Sequence, residues 1–94
     1  MNTADFEASL ARDGFQAVVR EWPAGTINET HSHPWEVRAI IIEGAITLTI
    51  EGVSRLYNEG DVFTMASGCM HKETVSGAGV KFIAGRRDLK VASV

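Results

Sequence analysis

The sequence is poor in cysteine and in long apolar runs. Its single cysteine, Cys69, excludes an intrachain disulfide and suits a reducing compartment, so we expect a cytoplasmic protein. The longest apolar run, residues 39–42, is far shorter than the roughly 20 residues that cross a bilayer, so no membrane partner is predicted. The first residues contain neither a basic nor an apolar segment, which argues against a signal peptide.

Clusters of basic residues are missing as well. Nine Lys and Arg stand against twelve Asp and Glu, and the pair Arg86-Arg87 is too short to follow a phosphate backbone, so no nucleic-acid partner is predicted. The composition, 45% hydrophobic and 22% charged, is that of an ordinary globular protein. We expect 94 residues to form a single domain over residues 1–94, with a core over about 15–85.

Short strand-like segments separated by glycine-rich turns follow one predicted helix. Residues 6–12 are predicted to be helical, with Asp5 as the N-cap and with Phe6 and Leu10 on one face. Glu51-Gly52 resembles the pairs that close tight hairpins. The predicted strands are residues 15–22, 37–42, 46–50, 53–57, 62–65, 70–75 and 80–84. This pattern is typical of an all-β sandwich or barrel.

The three histidines form a pattern that favours a metal site. His31 and His33 lie two residues apart, and side chains at that spacing on a strand project to the same face. His71 begins another predicted strand, so three imidazoles converge if the two strands are neighbours. Three nitrogen ligands with an open position are common in catalytic metal sites. The alternative is that these are surface or turn histidines.

Two segments of the chain resemble the two motifs of the cupin superfamily. In the first motif, five residues separate a glycine from His-x-His, and a second glycine ends the motif. The residues that match it are Gly25, His31, His33 and Gly44. In the second motif, a glycine is followed by five residues, then by Pro-x-Gly, then by two further residues and a histidine. The residues that match it are Gly60, Gly68 and His71. The resemblance covers residues 25–75.

The resemblance implies a cupin-like double-stranded β-helix, that is, a jelly-roll barrel, with a short N-terminal helix. It also implies a divalent transition metal (Fe, Mn, Ni, Cu or Zn) held by His31, His33 and His71. Cupins are often dimers, so a homodimer is expected. The family includes dioxygenases, isomerases, decarboxylases, lyases, sugar-binding modules and seed storage proteins, so the family alone does not choose a function.

The chain departs from the cupin motifs at the carboxylate of the first motif. The motif glutamate falls on Val37, and the only nearby carboxylate is Glu36. Strand parity places Glu36 on the face opposite the histidines, unless Pro34-Trp35 shifts the register by one residue. Glu36 is therefore either the fourth metal ligand or a solvated or second-shell carboxylate. Two further departures, Ala66 for the motif proline and Val75 for the motif asparagine, involve no metal ligand.

Other residues are assigned to a substrate pocket or to an interface. The predicted pocket residues are Trp35, Met65, Glu73 and Phe82. Glu73 either orients an imidazole or acts as a base, or it is a surface charge paired with a lysine. Trp35 either walls the pocket or packs at the barrel mouth.

Two features of the strand at residues 37–42 suggest contacts beyond the barrel. Arg38 either binds an anionic substrate or forms a salt bridge at a dimer interface. The run Ile40–Ile42 is apolar on both faces, so we expect one face in the barrel and the other against a partner subunit.

The sequence therefore predicts a small metal-binding cupin. The first hypothesis is a metal-dependent enzyme that acts on a small organic molecule, with no catalytic residue yet identified. The alternative is a non-catalytic barrel that binds a small ligand or a metal as a sensor module. A third interpretation is a structural dimer with adventitious metal; a pocket filled by Trp35, Met65 and Phe82 would support it, whereas an open cavity would support the enzyme.

Overall fold

The computed structural model describes residues 2–88, which form one helix followed by seven strands. The elements are α1 (Thr3–Arg12), β1 (Gln16–Trp22), β2 (Ile27–His31), β3 (Trp35–Ile50), β4 (Val53–Asn58), β5 (Val62–Met65), β6 (His71–Thr74) and β7 (Val80–Asp88). Strand β7 continues beyond its predicted end at residue 84 and includes Arg86 to Asp88. Residues 89–94 lie outside the described residues.

The strands form two antiparallel sections that share β3. The first section has the order β1-β7-β3-β5 and uses the first half of β3. The second has the order β2-β6-β3-β4 and uses the second half. Two facing four-stranded sections of this kind make a jelly-roll barrel, so the predicted fold class is confirmed. The segments expected as two strands, 37–42 and 46–50, are one strand of 16 residues.

A bend at Gly44 lets β3 pass from one section to the other. Gly44 has φ +77°, a conformation that is costly for any residue with a side chain. A Cβ at this position would also overlap the backbone carbonyl of Gly79. The pairing of β3 with β7 shifts register between Ile41 and Glu43, beside this glycine. The glycine that ends the first cupin motif therefore has a backbone reason to be there.

Apolar side chains from both sections fill the closed part of the barrel. Along β3 they alternate with outward residues up to the bend, as the period of two predicts. The buried members of this core are Ala39, Ile41, Ile46, Leu48, Phe63, Met65, Val75, Val80 and Phe82. The tight turn Glu51-Gly52 joins β3 to β4 and has positive φ at both residues, as the predicted hairpin requires.

Helix α1 begins earlier than the sequence pattern indicates. Its N-cap is Asn2, whose Oδ1 accepts a hydrogen bond from the backbone N–H of Asp5 at 2.8 Å. Asp5 was expected to be the cap but instead lies in the first turn, where a negative charge also favours the helix. No helix within residues 2–88 is long and apolar enough to cross a membrane.

The outer face of the first section is covered by α1. Phe6 and Leu10 of the helix are almost fully buried against Ile40 and Ile83, with Phe15 completing this second core cluster. The expectation that a partner subunit covers the outer face of the isoleucine run is therefore wrong, because the chain's own helix lies there. The homodimer implied by the resemblance stays a prediction.

Candidate metal site

The pairing of β2 with β6 brings the three histidines together. His31 ends β2 and lies opposite His71, the first residue of β6, after a register shift that follows Asn28. His33 comes after the end of β2, in the connection to β3, and its carbonyl accepts a hydrogen bond from the N–H of Gly68. The prediction that one regular strand carries both imidazoles is therefore wrong, because only His31 lies on β2. The turn preceding β6 holds the connection of His33 in place.

The three imidazoles present their nitrogen atoms to one point. One ring nitrogen of each histidine lies within 4.8 Å of the others, and the ring centroid of His31 is 4.3 Å from that of His71. His33 lies 4.9 Å from His31 and 5.3 Å from His71 by the same measure. This is the convergence that the spacing predicts.

Backbone carbonyls fix the tautomer of two of these histidines. Nδ1 of His71 lies 2.9 Å from the carbonyl oxygen of Cys69, and Nδ1 of His31 lies 2.6 Å from that of Glu29. A carbonyl oxygen only accepts, so each Nδ1 carries the proton and each Nε2 lone pair is free. Metal-ligating histidines are held in this way by their second nitrogen. His71 is 1% exposed, and its Nε2 has no hydrogen-bond partner within residues 2–88.

His33 is oriented by an aromatic neighbour rather than by a carbonyl. Its ring stacks on Trp35 with centroids 4.9 Å apart and planes 6° from parallel. Partial burial, together with repulsion from the nearby imidazoles of His31 and His71, holds the pKa of His33 below its usual range. A lowered pKa keeps this imidazole neutral, which is the form that binds a metal.

Glu73 joins the histidines from the same strand as His71. Its side chain projects inward two residues after His71, and Glu73 is 7% exposed. One carboxylate oxygen lies 3.6 Å from Nε2 of His31 and the other 3.8 Å from Nε2 of His71. Asn28 donates a hydrogen bond from Nδ2 to Oε1 at 3.2 Å. Glu73 is thus an interior carboxylate and does not pair with Lys72 or Lys81.

Glu36 is not brought to the histidines. Its carboxylate accepts hydrogen bonds from Arg87, from Nε at 3.3 Å and from Nη2 at 3.1 and 3.2 Å. Trp35 and Val37 line the cavity, so the strand is regular here and Glu36 points away from them. The register shift that a Glu36 ligand requires does not occur at Pro34-Trp35.

Arg38 also lies on the face away from the histidines. Its Nη1 donates to Oδ2 of Asp13 at 2.7 Å, and its guanidinium lies 4.4 Å from the ring centroid of Phe15. The hydrogen bond from Arg38 holds the pKa of Asp13 below its usual range. Arg38 was expected to bind an anionic substrate or to form a salt bridge to a second subunit. It instead forms its salt bridge with Asp13 of the same chain.

An open cavity of about 810 Å³ lies beside the histidines, between the two sections. The predicted pocket residues Trp35, Met65, Glu73 and Phe82 all line it, together with His31 and His33. Its volume falls in the range of small-molecule sites. The bulky side chains thus form walls and do not fill the space. Cys69 does not line this cavity and packs beside the core as a loop residue.

Sequence reasoning missed Arg86 at this cavity. Arg86 lines it, and the guanidinium lies 4.6 Å from the ring centroid of Trp35. Within residues 2–88 its guanidinium has no carboxylate within 4.0 Å. The alternation of β7 was the available signal, because Phe82, Ala84 and Arg86 share one face of that strand.

Known structures resemble this chain over most of its length. KdgF from Halomonas sp. is 21% identical with a TM-score of 0.72, and the match covers 81% of this chain and 70% of that protein. Oxalate decarboxylase from Bacillus subtilis, which has Mn(II) centres, is 28% identical with a TM-score of 0.69, and the match covers 83% of this chain and 22% of that protein. A structure of the DMSP lyases RdDddP and RnDddQII gives 14% identity and a TM-score of 0.73, with coverage of 85% and 42%.

Among curated proteins, no sequence matches this chain. The sequence profile of the family described as "Cupin domain" matches residues 18–84, which is more than half of the chain. The match includes both histidine segments and both sections of the barrel. The chain therefore belongs to the cupin domain family.

Proposed function

We propose that this cupin is a metal-dependent enzyme that acts on a small organic molecule, with the ion held by His31, His33 and His71. The observation that supports this most directly is the arrangement of His31 and His71. Their Nδ1 atoms donate to backbone carbonyls, which leaves their Nε2 lone pairs free. One ring nitrogen of each lies within 4.8 Å of that of the other and of one from His33, and His31 and His33 line the open cavity. Histidines that served only to pack would not need matching tautomers.

The donor set suits a first-row transition metal. A buried nitrogen without a partner, like Nε2 of His71, costs on the order of 1–3 kcal/mol, and a bound ion would remove that cost. Three imidazoles suit Fe, Mn, Ni, Cu or Zn and do not choose among them. When bound, such an ion supplies a Lewis acid or a redox centre with positions open to a substrate.

The cavity favours a substrate with a negatively charged group. Arg86 faces the cavity without a carboxylate partner among the described residues, and its guanidinium lies over the ring of Trp35, the ring on which His33 also stacks. A carboxylate bound there receives a charge-assisted pair of hydrogen bonds. The same section of the barrel also supplies an apolar surface, where Trp22 and Phe82 are in edge-to-face contact, and this surface fits the carbon skeleton of a small acid.

The related structures support metal chemistry on this fold. The Bacillus subtilis protein contains Mn(II) centres and is an oxalate decarboxylase, and the structure with RnDddQII is of lyases. This chain spans 22% and 42% of the lengths of those two proteins, so their reactions do not transfer to it.

A non-catalytic module that binds a metal or a small ligand is the second candidate. Val37 favours it, because an apolar side chain occupies the position where the first motif has its carboxylate. The open cavity favours the enzyme, since a barrel with a purely structural role would be expected to fill this space. Turnover of a bound molecule separates the two candidates.

The metal site is tested by elemental analysis of protein purified without a His-tag. His33→Ala and His71→Ala remove one imidazole each, and His33 is the safer change because it is less buried. Cys69→Ser is the matched control, because it removes a potential sulfur ligand close to the site. We expect one metal ion per chain in the parent and in Cys69→Ser, and loss of that ion in both histidine variants.

Absence of metal from every sample, even after incubation with iron, manganese, nickel and zinc, would refute the metal site. The loaded protein is then incubated with a panel of small carboxylic acids, and the mixture is followed by NMR. Conversion of one acid by the loaded parent, but not by His33→Ala, supports an enzyme. Binding without conversion supports the sensor module.

A further inference from the structure

Glu73 is a buried carboxylate with no lysine or arginine within 4.0 Å among the described residues. It accepts a hydrogen bond from the neutral amide of Asn28, and its remaining close neighbours are Nε2 of His31 and Nε2 of His71. A buried carboxylate is costly unless a positive charge lies beside it. The position therefore calls for a cation that the side chains themselves do not supply.

The tautomers of the histidines sharpen this requirement. Because Nδ1 of each histidine donates to a carbonyl, the neutral rings turn Nε2 lone pairs, and not N–H groups, toward Glu73. The neutral histidines thus cannot donate hydrogen bonds to the carboxylate. The two lone pairs lie 3.6 and 3.8 Å from the carboxylate oxygens and repel them, and a cation between the three groups converts that repulsion into attraction.

The opposite wall of the site lacks a carboxylate. Val37 lines the cavity at the position of the first-motif glutamate, and Glu36 beside it is paired with Arg87 on the other face of the strand. Glu73 enters from β6, where the period of two places it on the same face as His71. The carboxylate of the first motif is therefore absent from β3, while Glu73 places a carboxylate on β6.

We propose that Glu73 is the carboxylate ligand of the metal, supplied from β6 in place of the motif position at Val37. This rests on the proposed three-histidine metal site. The hydrogen bond from Asn28 to Oε1 then fixes the orientation of the ligating group, as outer partners of metal ligands do. The resulting set is three neutral imidazoles and one anion, which offsets one of the two charges of a divalent ion.

The test measures the dissociation constants of Mn(II) and of Ni(II) by calorimetric titration of the metal-free protein. Glu73→Gln keeps the size and the Asn28 contact of the side chain but removes the charge. Glu36→Gln is the matched control, because it removes a carboxylate that lies on β3 and points away from the histidines. We expect Glu73→Gln to weaken binding at least tenfold and Glu36→Gln to change it less than twofold.

Two further measurements keep the result independent of folding. The melting temperature of the metal-free Glu73→Gln variant should equal or exceed that of the parent, because an uncompensated buried charge has been removed. With Co(II) bound, the visible absorption spectrum should differ between the parent and Glu73→Gln, and be the same in the parent and Glu36→Gln. A purely structural role for Glu73 would lower the melting temperature and leave the spectrum unchanged.

The outcomes separate this inference from the proposed function. If the parent binds metal, His33→Ala abolishes binding and Glu73→Gln binds as tightly as the parent, then Glu73 is not a ligand and the three-histidine site stands. If the parent binds no metal, both proposals fail. A tenfold loss confined to Glu73→Gln, with the altered Co(II) spectrum, supports the assignment of Glu73.

Discussion

Truncation of Leu10 tests how much of the stability of this small barrel comes from α1. Leu10 is fully buried between the helix and the outer face of the first section, against Ile40 and Ile83. Leu10→Ala removes the isopropyl group of the side chain and leaves a cavity, which costs about 3 kcal/mol. For a chain of this size, that loss corresponds to a fall in melting temperature of about 15 °C.

The matched control is the same substitution at an exposed site. Leu56 on β4 is 54% exposed, so Leu56→Ala should cost less than about 1 kcal/mol. Urea denaturation followed by circular dichroism measures the free energy of unfolding of the parent and both variants. Metal binding should be the same in all three, because Leu10 lies on the outer face of the section and the histidines lie inside the barrel.

Equal losses in Leu10→Ala and Leu56→Ala would refute the packing of α1 on the sheet. Removal of residues 2–12 gives an independent check, because it exposes Ile40 and Ile83. We expect the shortened protein to self-associate in size-exclusion chromatography. If a second subunit covered this outer face, the parent protein would run as a dimer in size-exclusion chromatography. The Leu10→Ala variant would then run as a monomer.

Gly44→Ala should prevent folding or lower the melting temperature by more than a Gly→Ala change at an exposed position. The reason is that Gly44 has a positive φ and an added Cβ would overlap the carbonyl of Gly79. Melting curves by circular dichroism, with Gly52→Ala as the control, measure the difference. Asp13→Asn should lower the melting temperature at pH 7, since the folded-state pKa of Asp13 is below 3.8 and its contribution is present above that pH. The difference between Asp13→Asn and the parent should vanish as the pH falls below 3.8 through the folded-state pKa, and a gap that persists at lower pH would contradict the pairing with Arg38. Arg86→Gln should weaken binding of malonate by the metal-loaded protein about tenfold without changing its metal content, whereas neutral malonamide should bind both proteins equally in calorimetry.

The sequence predicted the barrel because its strands alternate or are bounded by glycines. It also predicted the convergence of His31, His33 and His71, through the spacing of the two motifs. Local sequence patterns did not show which element covers the outer face of each strand. The isoleucine run at residues 40–42 required cover on both faces, but only the three-dimensional path of the chain shows that α1 supplies it.

The carboxylates show the same limit. Parity along β3 placed Glu36 away from the histidines, but whether Pro34 would shift the register depends on pairing with β7 and not on the residues near it. Parity along β6 placed Glu73 on the face of His71. Parity alone left open whether Glu73 pairs with a lysine or lies inside the site. It lies inside because the pairing of β2 with β6 brings Asn28 and His31 beside it.

The shared strand β3 determines how this barrel can admit a ligand. Trp35 and Val37, in its first half, form one wall of the cavity, and Leu48, in its second half, pairs with Glu73 of the opposite wall. One continuous backbone therefore joins both walls, and its bend at Gly44 is held against Gly79. We therefore expect no opening of the two walls about a hinge. We also expect the proposed site to be preorganised, so that little free energy is lost in ordering it and discrimination between ligands depends on their size and charge.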